Sequence, residues 1–293
     1  MSTAFMMRRF TRMTTASLPH STPSLTPSLT RLHSSCCGTT TTTTPQHTPP
    51  ITPSLTHNPK SYHHKAYAQV LEDTDHPDIA KLLIDNKKWV ESSKKNDPNF
   101  FEKIGGKQVP KYLYIGCSDS RVPANEILGL GPGEVFVHRN VGNLVNGSDL
   151  SVLSVIEFAV RVLNVKHIIV TGHYDCGAVI ASTKNQDLGL LENWIRNIRD
   201  TQRIHKDTLD ALNSDDDKHR CLVELSAIEQ CYTVFKIGAV QQKRKETALA
   251  SGGKDVWPQV TAMVFDPRDG LLKKLPINFE KSIEGYHKIY DLY

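Results

Sequence analysis

Hydrophobic residues recur with two different spacings along the second part of the chain. Four short apolar runs predict buried strands, at residues 111–117, 135–137, 166–172 and 260–265. Apolar positions three and four residues apart predict amphipathic helices, at residues 77–96, 150–163 and 190–198. Strands that alternate with helices are typical of a mostly parallel sheet flanked by helices, so the sequence predicts an α/β fold.

Residues 1–65 show neither the apolar runs of buried strands nor the apolar spacing of amphipathic helices. They contain four arginines and no acidic residue among many Ser and Thr, the pentapeptide Thr-Pro-Ser-Leu-Thr occurs three times, and residues 39–44 are all Thr. Such a composition cannot bury a core and is typical of an organellar transit peptide. The sequence therefore predicts a cleaved leader at 1–65 and one folded domain at 66–293. The expected compartment is the mitochondrial matrix, with the plastid stroma as the alternative.

The net charge changes sign when this leader is set aside. The whole chain has 35 basic and 31 acidic residues, a formal charge of +4, but the leader holds six of the basic residues, so the remainder has 29 against 31, or −2. A basic surface for nucleic acid is therefore not expected. No apolar run is long enough to cross a bilayer, so the sequence predicts no membrane partner either.

The candidate chemistry lies where two predicted strands end. Cys117 follows the first apolar run, and His173 and Cys176 follow the third. Carboxyl ends of neighbouring parallel strands meet at one edge of a sheet, so these side chains can come together. Two thiolates and one imidazole select zinc and leave one coordination position open. The sequence therefore predicts one Zn²⁺ per chain, bound by these three residues.

Two charged residues soon after Cys117 leave the state of that zinc open. If Asp119 binds the metal, four protein groups close the site; if Arg121 holds the carboxylate through paired N–H donors, water takes the fourth position. Zinc can lower the pKa of bound water from about 15.7 to near 7, which makes hydroxide available at neutral pH. The state in which Arg121 holds Asp119 and water binds the metal would therefore allow catalysis.

These motifs resemble the β-class carbonic anhydrases. The resemblance rests on Cys-Ser-Asp-Ser-Arg at 117–121, His-x-x-Cys at 173–176 and the segment 134–145, and it extends over essentially the whole chain after the leader. It implies reversible hydration of carbon dioxide to bicarbonate and a proton by zinc-bound hydroxide. It also implies that Asp119 and Arg121 form the catalytic pair.

The resemblance alone implies a set of substrate-binding residues. An apolar pocket for carbon dioxide would be lined by Phe136, Val141 and Phe158, although many relatives have Tyr at the last position. Gln108 would contribute its amide across a dimer interface, and the backbone N–H of Gly177 would be a further contact.

The resemblance also implies a homodimer or homotetramer in which the helix at 77–96 forms an arm around a neighbouring subunit. Bacterial relatives with a second, non-catalytic bicarbonate site use Trp, Arg and Tyr, where this chain has Tyr114, Arg139 and Phe265. Only the Arg matches, so a permanently open zinc site is expected.

Alternatives remain for the substrate, the role of zinc and the route of the proton. A sulfur analogue such as carbon disulfide could be hydrolysed at the same site. A zinc-stabilised binding protein without turnover would use Asp119 as fourth ligand, and Asp119→Ala would then weaken metal binding. His138 and Tyr174 lie near the right segments for proton transfer, and each is equally explained as a structural residue.

Overall fold

The computed structural model describes residues 76–284 and 289–293, and the predicted leader lies outside the described residues. Five strands form one sheet: β1 (Tyr112–Cys117), β2 (Val135–Asn140), β3 (His167–His173), β4 (Gln259–Phe265) and β5 (Leu272–Lys274). Their order is β2-β1-β3-β4-β5, with the first four parallel and β5 antiparallel to β4. The predicted α/β fold with a mostly parallel sheet is confirmed.

Helices precede the sheet, connect its strands and follow it. Those in the described residues are α1 (Pro77–Asn96), α2 (Phe100–Ile104), α3 (Ala124–Leu128), α4 (Leu150–Arg161), α5 (Gly177–Ser182), α6 (Leu190–Ile204), α7 (Lys206–Asp210), α8 (Asp215–Lys236), α9 (Gly238–Ser251) and α10 (Phe279–Glu284). None of the helices searched in this part of the chain combines the length and the apolar character that a membrane span requires.

The predicted strands and helices are all present, and the differences lie at their ends. Strand β2 continues three residues beyond its apolar run, to Asn140, because its backbone stays paired with β1 as far as Cys117. The apolar pattern of α6 ends at Ile198, but the helix runs on to Ile204. Helix α9 has no clear apolar spacing, since several of its buried residues are Ala, Gln and Thr.

Helix α1 begins at Pro77, where the missing N–H of proline costs no helical hydrogen bond. None of its residues is buried, and Leu82 and Trp89 are 62% and 46% exposed. The Trp89 ring meets Phe100 and Phe101 edge to face, with centroids 6.0 and 5.4 Å apart. Most of the apolar surface of this helix therefore remains uncovered within the described chain.

The two central strands, β1 and β3, form a rigid support for the residues that follow them. Leu113 and Ile115 on β1 and Ile168 and Val170 on β3 are fully buried, and burial of such a side chain contributes roughly 1.5–3 kcal/mol. Helix α8 approaches β3 so closely that a Cβ on Gly172 would lie 3.2 Å from a methyl carbon of Val223. The carboxyl ends of β1 and β3 are thus held in a tightly packed core.

Candidate metal centre and active site

The three predicted ligands lie together at the carboxyl edge of the sheet. Cys117 ends β1 and His173 ends β3, and these strands are neighbours paired in register, with Gly116 opposite Thr171. Cys176 follows a short turn and precedes α5. The ligand atoms of the three buried residues all lie within 4.8 Å of one another.

The geometry of this cluster fits zinc. The two sulfur atoms are 4.0 Å apart, and tetrahedral coordination with Zn–S bonds of about 2.3 Å requires about 3.8 Å. His173 Nδ1 lies 2.9 Å from the carbonyl oxygen of Tyr174; since a carbonyl can only accept, Nδ1 carries the proton and Nε2 does not. This Nε2 is buried without a hydrogen-bond partner in the described residues, as a metal ligand would be.

The contact between the two sulfur atoms shifts the pKa values of the two thiols in opposite directions. A hydrogen bond with Cys176 lowers the pKa of the Cys117 thiol, and the backbone N–H of Gly142, 3.4 Å from the sulfur, acts in the same direction. The same contact, together with burial, raises the pKa of Cys176. One thiolate is therefore favoured without a metal, and a bound dication would favour the ionised form of both sulfurs.

Asp119 is held by Arg121 beside the cluster. The guanidinium donates through Nε to Oδ1 at 3.0 Å and through Nη2 to Oδ2 at 2.8 Å, and the Arg121 backbone N–H donates to Oδ1 at 2.9 Å. The guanidinium lowers the pKa of Asp119 to about 2. Oδ2 nevertheless lies 3.9 Å from His173 Nε2. Of the two states left open by the sequence, the described geometry is the one in which Arg121 pairs with the carboxylate.

Arg139 fixes the backbone of the loop that carries the pair. It donates through Nε to the carbonyl of Cys117 at 2.8 Å and through Nη2 to the carbonyl of Asp119. From the sequence, Arg139 is predicted only as the one matching residue of the bicarbonate-binding triad, and this contact with the loop is not predicted. No sequence signal indicates this role, because Arg139 lies beyond the apolar run that predicts β2.

The substrate-binding residues implied by the resemblance lie on several different segments of the chain. Phe136 and Phe158 stack at a tilt with centroids 5.8 Å apart, and Phe158 and Val141 are 42% and 41% exposed. Gln108 lies in a groove between α2 and the loop before β2. Gly177 is the exposed first residue of α5.

The two candidates for proton transfer both have structural contacts. Tyr174 is 2% exposed, its hydroxyl donates to Glu224, and burial raises its pKa to about 12. His138 is 9% exposed, its Nε2 lies 3.3 Å from the amide nitrogen of Asn140, and burial lowers its pKa. These contacts favour the structural interpretation of both residues.

Comparison with known proteins agrees with this geometry. A model of the family described as carbonic anhydrase matches residues 112–271. A carbonic anhydrase of Emericella nidulans is 49% identical over 78% of this chain and 95% of its own. A β-carbonic anhydrase of Aspergillus fumigatus is 34% identical with a TM-score of 0.65, covering 74% of this chain and 100% of that one. A tetrameric β-carbonic anhydrase of Sordaria macrospora is 32% identical with a TM-score of 0.62, and the match covers 69% of this chain and 98% of that one.

The matched region contains the four parallel strands of the sheet, together with the three clustered ligands and the Asp119–Arg121 pair. The relatives are enzymes, and reversible hydration of carbon dioxide is the reaction of the family. The chain therefore belongs to the carbonic anhydrase family, in its β class.

Proposed function

We propose that Cys117, His173 and Cys176 hold one zinc ion and that the residues around it carry out the hydration of carbon dioxide. The observation that supports this best is the bare, buried Nε2 of His173, which lies in one cluster with two sulfur atoms. Zinc bound by such a set supplies the activation of water at neutral pH.

Asp119 and Arg121 are proposed as the catalytic pair. Because its pKa is about 2, the Asp119 carboxylate is ionised at neutral pH and can only accept hydrogen bonds. It can therefore orient the reacting water by accepting a hydrogen bond from one of its O–H groups. Arg121 directs the carboxylate by two parallel hydrogen bonds, which fix it more tightly than one bond would.

The substrate is proposed to bind beside this pair in an apolar pocket that excludes water. Phe136, Val141 and Phe158 would line it, while the Gly177 N–H and the Gln108 amide would contact substrate oxygen atoms. The exposure of Val141 and Phe158 in one chain supports a pocket completed by a second copy.

Stopped-flow measurement of carbon dioxide hydration with the zinc-loaded full chain tests this function. Asp119→Ala should retain one zinc per chain and lose at least about 100-fold in kcat/KM, because it removes a group that positions the reacting water. Asp200→Ala is the control, since Asp200 is an exposed carboxylate paired with Arg203. Loss of zinc together with activity in Asp119→Ala would instead support a structural zinc. A wild-type enzyme that hydrolysed carbon disulfide but did not hydrate carbon dioxide would support the sulfur substrate.

The enzyme is further proposed to be a homodimer or homotetramer. Support comes from the exposed Leu82 and Trp89 on α1, from the position of β2 at the edge of the sheet, and from the tetrameric relative of Sordaria macrospora. Light scattering of the full chain should give a mass of two or four times 32.8 kDa. Leu82→Glu should lower that mass and Lys87→Glu, on the same helix, should not; an unchanged mass for Leu82→Glu would exclude α1 as the arm.

Residues 1–65 are proposed to be a transit peptide to the mitochondrial matrix, and residues 66–293 the catalytic domain. Support comes from the arginines and the missing acidic residues of the first segment. A fluorescent protein fused after residue 65 should enter mitochondria, and replacing Arg8, Arg9 and Arg12 by Ala should leave it in the cytosol. Entry into plastids would select the alternative compartment.

A further inference from the structure

The turn between His173 and Cys176 contacts the catalytic pair through its own backbone. Asp175 lies in this turn with φ of +55°, a left-handed conformation that Asp and Asn tolerate better than most residues. Its carbonyl oxygen accepts a hydrogen bond from Arg121 Nη2 at 3.1 Å. That nitrogen also donates to Asp119, so the position of the Asp175 carbonyl affects where the Arg121 guanidinium can lie.

The side chain of Asp175 is held by a second arginine, Arg268. The guanidinium donates through Nε to Oδ2 at 3.1 Å and through Nη2 to Oδ1 at 2.9 Å. Two parallel bonds between planar groups restrict rotation as well as distance. Arg268 therefore fixes the orientation of the peptide whose carbonyl meets Arg121.

Arg268 itself projects from a turn with a well-defined backbone. Its N–H donates to Asp266 Oδ1 at 3.0 Å, and the Gly270 N–H donates to the Asp266 carbonyl at 2.8 Å. The other oxygen of Asp266 accepts from Arg220 at 3.1 Å. The hydrogen bonds of the turn between β4 and β5 thus fix the backbone from which the Arg268 guanidinium extends.

We propose that Arg268 is a positioning residue for the Asp119–Arg121 pair and acts through Asp175. This inference rests on the proposed roles of Asp119 and Arg121. The chain of contacts runs from Arg268 to the Asp175 carboxylate, from the Asp175 carbonyl to Arg121, and from Arg121 to Asp119. Its effect is to keep the Asp119 carboxylate turned towards Arg121 although His173 Nε2 is only 3.9 Å away.

A contribution to stability is a poor explanation of the same contact. Arg268 and Asp175 are 59% and 36% exposed, and ion pairs between exposed groups contribute little to folding. Removal of Arg268 should therefore leave the melting temperature nearly unchanged while it changes the reaction. This separates positioning from a merely structural role.

The test uses the zinc-loaded full chain with Arg268→Gln, Asp175→Asn and the double variant. Asn keeps the left-handed backbone accessible while it removes the carboxylate. Each single variant should lower kcat/KM for carbon dioxide about 10-fold, the low end of the range for outer partners of a metal site. The double variant should lose no more than either single, because both act through one contact. Arg268→Lys, which keeps the charge but loses the paired geometry, should fall between wild type and Arg268→Gln.

Arg203→Gln is the matched control, because Arg203 forms an exposed pair with Asp200 on α6. The second readout is the visible spectrum of the cobalt-substituted full chain, which depends on the ligands of the metal. Arg268→Gln should shift this spectrum and Arg203→Gln should not, because only the first releases the Asp119 carboxylate.

Three results would overturn the inference. An Arg268→Gln variant with the rate and cobalt spectrum of Arg203→Gln would show that the contact positions nothing. Losses that multiply in the double variant would show that Arg268 does not act through Asp175. A wild-type chain without carbon dioxide hydration would overturn the proposed function and the inference with it, which distinguishes that failure from the first two.

Discussion

Gly116 allows the Tyr114 ring to lie directly against the backbone of β1. The two residues are on the same face of the strand, and Tyr114 is fully buried. A Cβ built on Gly116 would lie 2.2 Å from Tyr114 Cε1 and 2.5 Å from its hydroxyl oxygen. Carbon atoms in contact are normally about 3.5–4.0 Å apart. In Gly116→Ala the ring would therefore have to retreat by more than about 1 Å into a packed core.

We expect Gly116→Ala to lower the free energy of unfolding by about 3 kcal/mol, the upper end of the usual range for overpacking, because a buried ring has no solvent to move into. The measurement is urea denaturation of the full chain at fixed protein concentration, with the slope against urea compared between variants. Gly106→Ala is the control, since no atom lies within 4 Å of the Cβ it would add, and it should change stability by less than about 0.5 kcal/mol.

A double variant identifies the clash as the cause. Tyr114→Ala alone should cost about 3–5 kcal/mol through the cavity it leaves. With the ring absent, the three atoms nearest to the methyl group added by Gly116→Ala are gone, so this substitution should cost at least about 1 kcal/mol less in that background than in the wild type. A loss below about 1 kcal/mol for Gly116→Ala alone, or strictly additive losses, would refute this reasoning.

Three further predictions concern the metal, alkaline pH and the loop after β1. Cys117→Ser should lower the zinc content from one per chain to below about 0.1 in metal analysis after dialysis, because a hydroxyl is a poor zinc ligand; retained zinc would place the metal elsewhere. Burial raises the pKa of Tyr114 to about 12. The stability contributed by its neutral hydroxyl is therefore complete below about pH 10 and is lost as the pH rises towards 12. Ultraviolet titration of Tyr114→Phe should show one fewer tyrosine that ionises only near pH 12. Arg139→Gln should keep the zinc but lower kcat/KM by about 10- to 100-fold in stopped-flow assays, since two carbonyls of the catalytic loop lose their donor; an unchanged rate would contradict that role.

The features predicted well from the sequence are local ones. The buried strands have continuous apolar runs, and Cys117 and His173 are placed at their ends by the chain itself. Once the sheet is parallel, the meeting of these two residues follows from topology. Family resemblance added roles for Asp119 and Arg121, and the structure describes the contact between them.

The features that could not be predicted depend on side chains distant in sequence. Arg268 and Asp175 are 93 residues apart, and nothing in the turn after β4 marks its arginine as a partner of the ligand loop. Arg139 lies in a strand extension that the apolar pattern does not reach. The groove around Gln108 and the exposed apolar surface of α1 are not explained by contacts within the described chain, and the second copy proposed to cover them leaves no pattern in one sequence.

The two cysteines of the cluster are 59 residues apart along the chain, on segments that adjoin only after β1 and β3 have paired. At a synthesis rate of about 5–20 residues per second, Cys176 is made roughly 3–12 s after Cys117. Through that interval the growing chain contains Cys117 without Cys176, and therefore without the complete cluster. Under the proposed role of the cluster, the metal site is therefore complete only late in synthesis, and a chain that has bound zinc there is one whose central strands have already paired.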